Sequence, residues 1–298
     1  QEVSQEGQQE VDREDGQEGR QEGDLARSSP GMTSKRRLDA ELVRRNLVPS
    51  REAARREIEA GRVLVDGSFA DKPARMVGGA QNVTLAGPPP PFVGRGGHKL
   101  AAALDAFDLD PTGRRCLDAG SSTGGFTDCL LQRGAASVVA VDVGTNQLHE
   151  KLRADPRVEA RERTDIRSLE PIDLDGPVDL IVGDLSFISL RLVLPGLAEL
   201  VVDGGSLVLL VKPQFEAGRQ EGSRGRGVIA DPAIWRRVLL DVLDWADQAG
   251  TGLVGLLPSP ITGASGNVEF VTWLRRGRPS IPDRERVVDD AVAMVAGQ

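Results

Sequence analysis

The chain is poor in the residues that staple, ligate or stack. Its 298 residues include two cysteines, Cys116 and Cys129, and two histidines. Two thiols without a His/Cys cluster make neither a disulfide framework nor a zinc site. Both lie in apolar stretches and are expected to be buried and free. Tyrosine is absent, and three Trp with seven Phe are the whole aromatic supply, so base stacking is limited and shape is the expected basis of any nucleic-acid recognition. No apolar run approaches the roughly 20 residues that span a bilayer. The first residues are polar and acidic and do not have the pattern of a secretory signal. The expected setting is cytoplasmic.

What is present is unevenly spread. The net charge of −8 argues against a polyanion partner until it is divided along the chain. Residues 1–24 carry nine acids and two Arg, residues 25–87 carry twelve basic and seven acidic residues, and residues 88–298 carry 23 and 29. Positive charge is therefore concentrated in one short block, and local charge decides where a polyanion docks. Residues 1–30 are Gln, Glu and Gly with few apolar side chains; a disordered acidic tail is expected there.

Periodicity divides the rest. Residues 31–87 read as a small α+β domain. Leu38, Leu42 and Val43 have helical spacing, Ser50 is an N-cap before a second helix bearing Ala53, Ala54 and Ile58, and short strands fall at 63–65 and 83–85. Pro88 to Pro91 begins a stiff linker, 88–93. From 94 to 298 strands alternate with helices. Strands are expected at 115–119, 137–142, 157–161, 178–183, 206–212, 253–258 and 268–275. Helices are expected at 97–106, 124–133, 146–153, 189–200, 231–249 and 282–296. That alternation gives an α/β fold with a parallel-rich sheet and helices on both faces.

The strongest local pattern runs from Cys116 to Thr127: a strand, a glycine-rich turn and a helix, containing Asp118, Gly120, Ser121, Ser122, Gly124, Gly125 and Phe126. Glycines allow a tight turn and close approach of a ligand, and open α/β sheets bind ligands at the carboxyl ends of their strands. The phosphate-binding patterns G-x-G-x-x-G and G-x-x-x-x-G-K-[ST] are both missing. An acid precedes the turn instead, which suits a cationic or zwitterionic ligand. Asp142 ends the next strand, where a carboxylate accepts from ribose hydroxyls. Asp165 follows the third strand, either to hold an adenine amino group or as a solvated loop acid.

Four further residues punctuate the domain. Lys99 lies in Gly-Arg-Gly-Gly-His-Lys (94–99), Asp184 in Gly-Asp-Leu-Ser-Phe (183–187), Lys212 in Val-Lys-Pro-Gln-Phe-Glu (211–216), and Glu269 in Asn-Val-Glu-Phe (267–270). Asp184 and Lys212 follow apolar strand cores and so belong at the sheet's ligand edge. Lys99 and Glu269 alone read equally as a structural ion pair. The order Asp118, Asp142, Asp165, Asp184 resembles the Rossmann-like S-adenosylmethionine methyltransferase fold. The order Lys99, Asp184, Lys212, Glu269 resembles the K-D-K-E tetrad of FtsJ-like ribose 2′-O-methyltransferases. Arg36-Arg37-Leu38-Asp39 and Ser50-Arg51-Glu52-Ala53-Ala54 resemble the S-four RNA-binding domain. The combination, over about 32–276, is similar to the TlyA family of rRNA methyltransferases, also labelled haemolysin-like. Gly94 departs from the family pattern, which has Ser there.

That resemblance implies S-adenosylmethionine as cofactor, ribosomal RNA or ribosomal subunits as partner, and a ribose 2′-hydroxyl, of cytidine, as acceptor. It assigns the base to Lys212, since a partly desolvated lysine beside another cation gives up its proton more easily. Asp184 would orient Lys212, and Lys99 and Glu269 would position the hydroxyl. Arg36, Arg37, Arg51 and Arg55 would meet RNA phosphates, although each also reads as a helix-face arginine paired with a neighbouring Glu. Residues 216–227 are glycine-rich and basic, and read either as a loop closing on RNA or as plain disorder. The chain lacks the Pro-Pro-aromatic run after Asp184 that base amino-methyltransferases carry, and neither Cys is near for carbon-5 chemistry. Two other classes stay open: an RNA-binding assembly factor with a dormant pocket, and a membrane-lytic protein.

Overall fold

The computed structural model describes residues 35–87, 90–218, 221, 227–263 and 265–296. The expected tail lies outside these residues, as do parts of the linker and of the 216–227 loop.

The front domain follows its apolar spacing. β1 (Arg36–Arg37) leads directly into α1 (Leu38–Arg44), and α2 (Arg51–Glu59) follows a turn in which Asn46 takes φ +54°. Ser50 caps α2 by accepting from the Ala53 amide at 3.1 Å, which satisfies one of the amides left free at a helix start. β2 (Val63–Val65) sits between β3 (Ser68–Phe69) and β5 (Val83–Leu85), while β4 (Met76–Val77) pairs with β1. Leu38, Leu42, Ala54, Ile58, Val63, Val65 and Val77 form one buried core. The two-residue strands β1, β3 and β4 are too short to announce themselves by alternation.

The large domain is built on a seven-stranded sheet. Its strands are β6 (Arg115–Ala119), β7 (Ser137–Val141), β8 (Val158–Arg161), β9 (Val178–Gly183), β10 (Val201–Val211), β11 (Thr251–Pro258) and β12 (Phe270–Arg276). The spatial order is β11-β12-β10-β9-β6-β7-β8. β8, β7, β6, β9 and β10 are mutually parallel, and β12 and β11 close the far edge antiparallel. Successive residues of a strand face opposite ways, and β9 shows it: Leu180 and Val182 join one core, Ile181 the other. α3 (Gly96–Phe107) and α4 (Gly125–Gln132) cover the first face. α6 (Leu190–Leu200), α8 (Pro232–Gln248) and α9 (Arg284–Ala296) cover the second.

Two elements of the large domain differ from the expected bounds by more than two residues, for local reasons. β10 begins five residues early, because Asp203-Gly204-Gly205 bulges out and lets Val201 pair with Val178 before Ser206 pairs with Leu180; Gly204 holds φ +73°, a bulge geometry that glycine tolerates. The helix expected at 146–153 shrinks to α5 (Glu150–Arg153), since Asn146 takes φ +54° and His149 becomes the cap, its Nδ1 accepting from the Lys151 amide. No helix among the described residues is long and apolar enough to cross a membrane.

Candidate active site

The turn after β6 lies at the carboxyl edge of the sheet, between the ends of β9 and β7, and its backbone dictates its sequence. Gly124 opens α4 at φ +94°, and a Cβ there would stand 2.2 Å from Leu152 Cδ1. Gly120 holds φ +82° with a Cβ position 3.3 Å from the Asp184 carbonyl oxygen. Neither position accepts a side chain without shifting its neighbours. At Gly94 the Cβ position is 2.6 Å from Thr123 Oγ1, so a serine there would need Thr123 to move.

A cleft of about 580 Å³ opens at this edge. Gly96, Lys99, Asp118, Gly120, Ser121, Ser122, Thr123, Gly125 and Phe126 line it together with Asp184, Ser186, Phe187, Lys212, Gln214, Phe215, Asn267 and Glu269. Gly124, Asp142 and Asp165 are not in that lining. Asp142 stands behind the turn, accepting from the Ser122 amide at 2.8 Å and the Gly144 amide at 2.7 Å. Asp165 is occupied by Arg167, which holds its carboxyl down to about 2, and by capping the turn at 166–168.

Lys99, Asp184, Lys212 and Glu269 arrive from α3, the end of β9, the end of β10 and the segment before β12, and meet as one alternating chain. Glu269 Oε2 lies 2.6 Å from Lys99 Nζ. Lys99 Nζ lies 3.5 Å from Asp184 Oδ2, and Asp184 Oδ1 lies 2.6 Å from Lys212 Nζ. This last contact is an ion pair without hydrogen-bond alignment; Lys212 donates instead to Ser186 Oγ at 2.7 Å. Lys99, Lys212 and Glu269 are buried, and buried charges persist when paired. Two cations and two carboxylates cancel, so the cluster is neutral before any ligand enters.

Asp118 is a separate buried acid beside this cluster. It is fully buried, and burial pushes its carboxyl up to about 7 despite the Thr127 amide and hydroxyl that donate to Oδ2. Its Oδ1 is buried without a hydrogen-bond partner among the described residues. Such an acceptor calls for a donor, and a cationic one brings the ionised form back. The α-ammonium of S-adenosylmethionine meets that need, and the glycine turn leaves room beside it. The residues lining the cleft therefore fit this cofactor: Asp118 and the 120–126 turn would hold its amino-acid part, whereas Asp142, expected to meet the ribose, spends both oxygens on backbone amides behind the turn.

Sequence reasoning passed over several participants. Ser186 and Phe187 stood inside a motif singled out for Asp184. Phe187 is 91% exposed, has φ +63° and lies against Phe215 with ring centroids 5.1 Å apart. A bulky residue in the left-handed region is a strained exception. Glu216, raised by burial, accepts from Ser189 Oγ at 2.5 Å and the Leu190 amide at 2.9 Å, tying α7 (Pro213–Glu216) to the start of α6. Asn267 braces Ile229 and Gly227 through both ends of its amide. Only a structure reveals such cross-links.

The comparisons with known proteins follow the same division of the chain. The FtsJ-like methyltransferase family matches residues 92–276, and the S4 domain matches residues 36–83. Among curated proteins, the 16S/23S rRNA (cytidine-2′-O)-methyltransferase TlyA of Mycobacterium tuberculosis is 50% identical over 245 residues, 82% of this chain and 91% of the relative. Hemolysin A of Brachyspira hyodysenteriae is 36% identical over 236 residues, 79% of this chain and 98% of the relative. The solved structure described as "Putative hemolysin from Streptococcus thermophilus" superposes with TM-score 0.70 at 42% identity, covering 88% of this chain and 96% of that one. With its α/β sheet, its glycine turn and its front domain, the chain belongs to the FtsJ-like methyltransferase family and is an enzyme that uses S-adenosylmethionine.

Proposed function

We propose that the chain methylates a ribose 2′-hydroxyl of ribosomal RNA, with cytidine as the acceptor nucleoside and Lys99, Asp184, Lys212 and Glu269 as the catalytic group. The observation that carries this reading is the alternating chain of four charges at the carboxyl edge, next to the glycine turn and the Asp118 oxygen that has no partner among the described residues. The cytidine-2′-O activity for which the mycobacterial relative is named supports the acceptor.

When bound, S-adenosylmethionine supplies an electrophilic methyl group on a sulfonium. A ribose hydroxyl attacks well only as its proton leaves. Lys212 Nζ is the atom placed to take up that proton. Asp184 and Ser186 fix where Nζ points. Lys99, anchored by Glu269, keeps Asp184 from turning and offers its remaining N–H groups to the ribose oxygen. Holding the ribose oxygen in place beside the cofactor would remove much of the entropic barrier. Phe187, exposed at the cleft mouth over Phe215, offers a flat apolar face to the acceptor base.

The test is to incubate the protein with methyl-labelled S-adenosylmethionine and ribosomal subunits, then digest the RNA to nucleosides. Label is expected on 2′-O-methylcytidine. Label on a base would overturn the reading, as would none on any ribosomal RNA.

A further inference from the structure

The arginines of the front domain are not equivalent. Arg44 and Arg45 both pair with Glu41, and Arg45 also donates to the Gln81 carbonyl at 2.7 Å, which fixes it as a structural brace. Arg62 pairs with Glu57 and donates to the Ala86 carbonyl. Arg37, Arg51 and Arg55 instead converge on one acid, Asp39. Its carboxylate is fully buried. Arg37 donates to Asp39 through Nε at 3.1 Å and Nη2 at 3.0 Å, Arg51 through Nη2 at 2.9 Å, and Arg55 Nε stands 3.8 Å away. The three guanidinium side chains themselves are about half exposed. One negative charge faces three positive ones, so the spot keeps an excess of two positive charges toward solvent.

We propose that Asp39 is a positioning residue for RNA binding: it presets the forks of Arg37, Arg51 and Arg55 so that their outer N–H edges meet neighbouring backbone phosphates. This rests on the reading that the chain acts on ribosomal RNA. Three features support it. The acid lies beneath the arginines and not among them, so it orients them without covering their outer edges. It cannot turn away, because the Ala40 amide donates to Oδ1 at 2.8 Å while its own amide donates to the Pro73 carbonyl. Its carboxyl is held down at about 2, chiefly by Arg37, so the template keeps its charge throughout the working pH range. An arginine already fixed in its fork loses less freedom when it grips a phosphate.

The test separates a template from a mere neutralising charge by sign. Asp39→Asn raises the positive charge of the domain by one. If Asp39 only offsets the arginines, the variant binds RNA more tightly with a steeper salt dependence. If Asp39 sets the forks, the variant binds about fivefold to tenfold more weakly, and the slope of log K against log salt becomes shallower by about one to two. The measurement is titration of transcripts of both ribosomal RNAs by the full chain at several salt concentrations, with a urea midpoint for each variant. Should Asp39→Asn not fold, Arg51→Lys and Arg55→Lys, at half-exposed positions, keep the charge but lose the fork; the template predicts weaker binding there, and unchanged affinity overturns it. A wild-type chain that binds neither transcript would sink the RNA reading itself, a different result from a wild type that binds and an Asp39→Asn variant that binds better.

Discussion

The contact between Lys99 and Glu269 separates a catalytic from a structural reading of the same pair. Both side chains are buried, at 9% and 4% exposure. Removing one member of a buried pair typically costs about 3–5 kcal/mol, whereas replacing both with apolar groups of similar volume is nearly neutral. The two single losses should be unequal here. Lys99→Met strands Glu269, whose one ion pair among the described residues is with Lys99, so about 3–5 kcal/mol is expected. Glu269→Leu leaves Lys99 with Asp184 at 3.5 Å, so about 1–3 kcal/mol is expected. The double variant should return to within about 1 kcal/mol of the wild type, a coupling of roughly 3 kcal/mol or more. Urea unfolding gives these energies. Methyl transfer should fall about 100-fold or more in all three variants, because the double change restores packing but not the group that steers Asp184 and the ribose oxygen. A double variant that regains turnover along with stability would refute this reasoning and leave the pair a structural one.

Lys212→Ala should abolish transfer while binding of S-adenosylmethionine, followed by calorimetry, survives; ordinary turnover would remove Lys212 from the mechanism. Asp118 makes stability depend on pH. Its folded carboxyl is raised to about 7, above an unfolded value of about 3.9, so the folded state holds the extra proton and stability is lost as pH rises from about 4 to about 7. Asp118→Asn should flatten that slope and weaken cofactor binding, and cofactor binding to the wild type near pH 6 should release a proton, seen as a buffer-dependent heat. Identical heats in buffers of different ionisation enthalpy would count against Asp118 as the partner of the ammonium. Gly124→Ala forces a Cβ onto Leu152 at positive φ and should cost about 2–4 kcal/mol in urea unfolding.

The large domain was legible because its signals are local. β6, β9 and their flanking turns lie where the apolar runs end, and Asp184 and Lys212 follow those runs directly, so their place at one edge follows from the parallel order. The antiparallel β11–β12 closure carries no such signal, since a buried strand reads alike in either direction. Asp165 shows the limit for side chains. Its position after the third strand suited a ligand, yet Arg167, two residues on, takes the carboxylate. The front-domain arginines were not separable in the sequence for a similar reason: whether a guanidinium faces solvent or braces a loop depends on Asp39, Glu41 and carbonyls more than thirty residues away.

Cys116 and Cys129 lie fully buried in the core between the sheet and α3 and α4, and burial pushes both thiols up to about 12. The thiolate is the reactive form, so an alkylating reagent reaches neither sulfur until that layer opens. Alkylation over time therefore acts as a clock for unfolding of the layer that carries the glycine turn. A ligand that binds only the closed form should slow that clock in proportion to its saturation, which would let cofactor affinity be measured with no RNA present and no methyl group transferred.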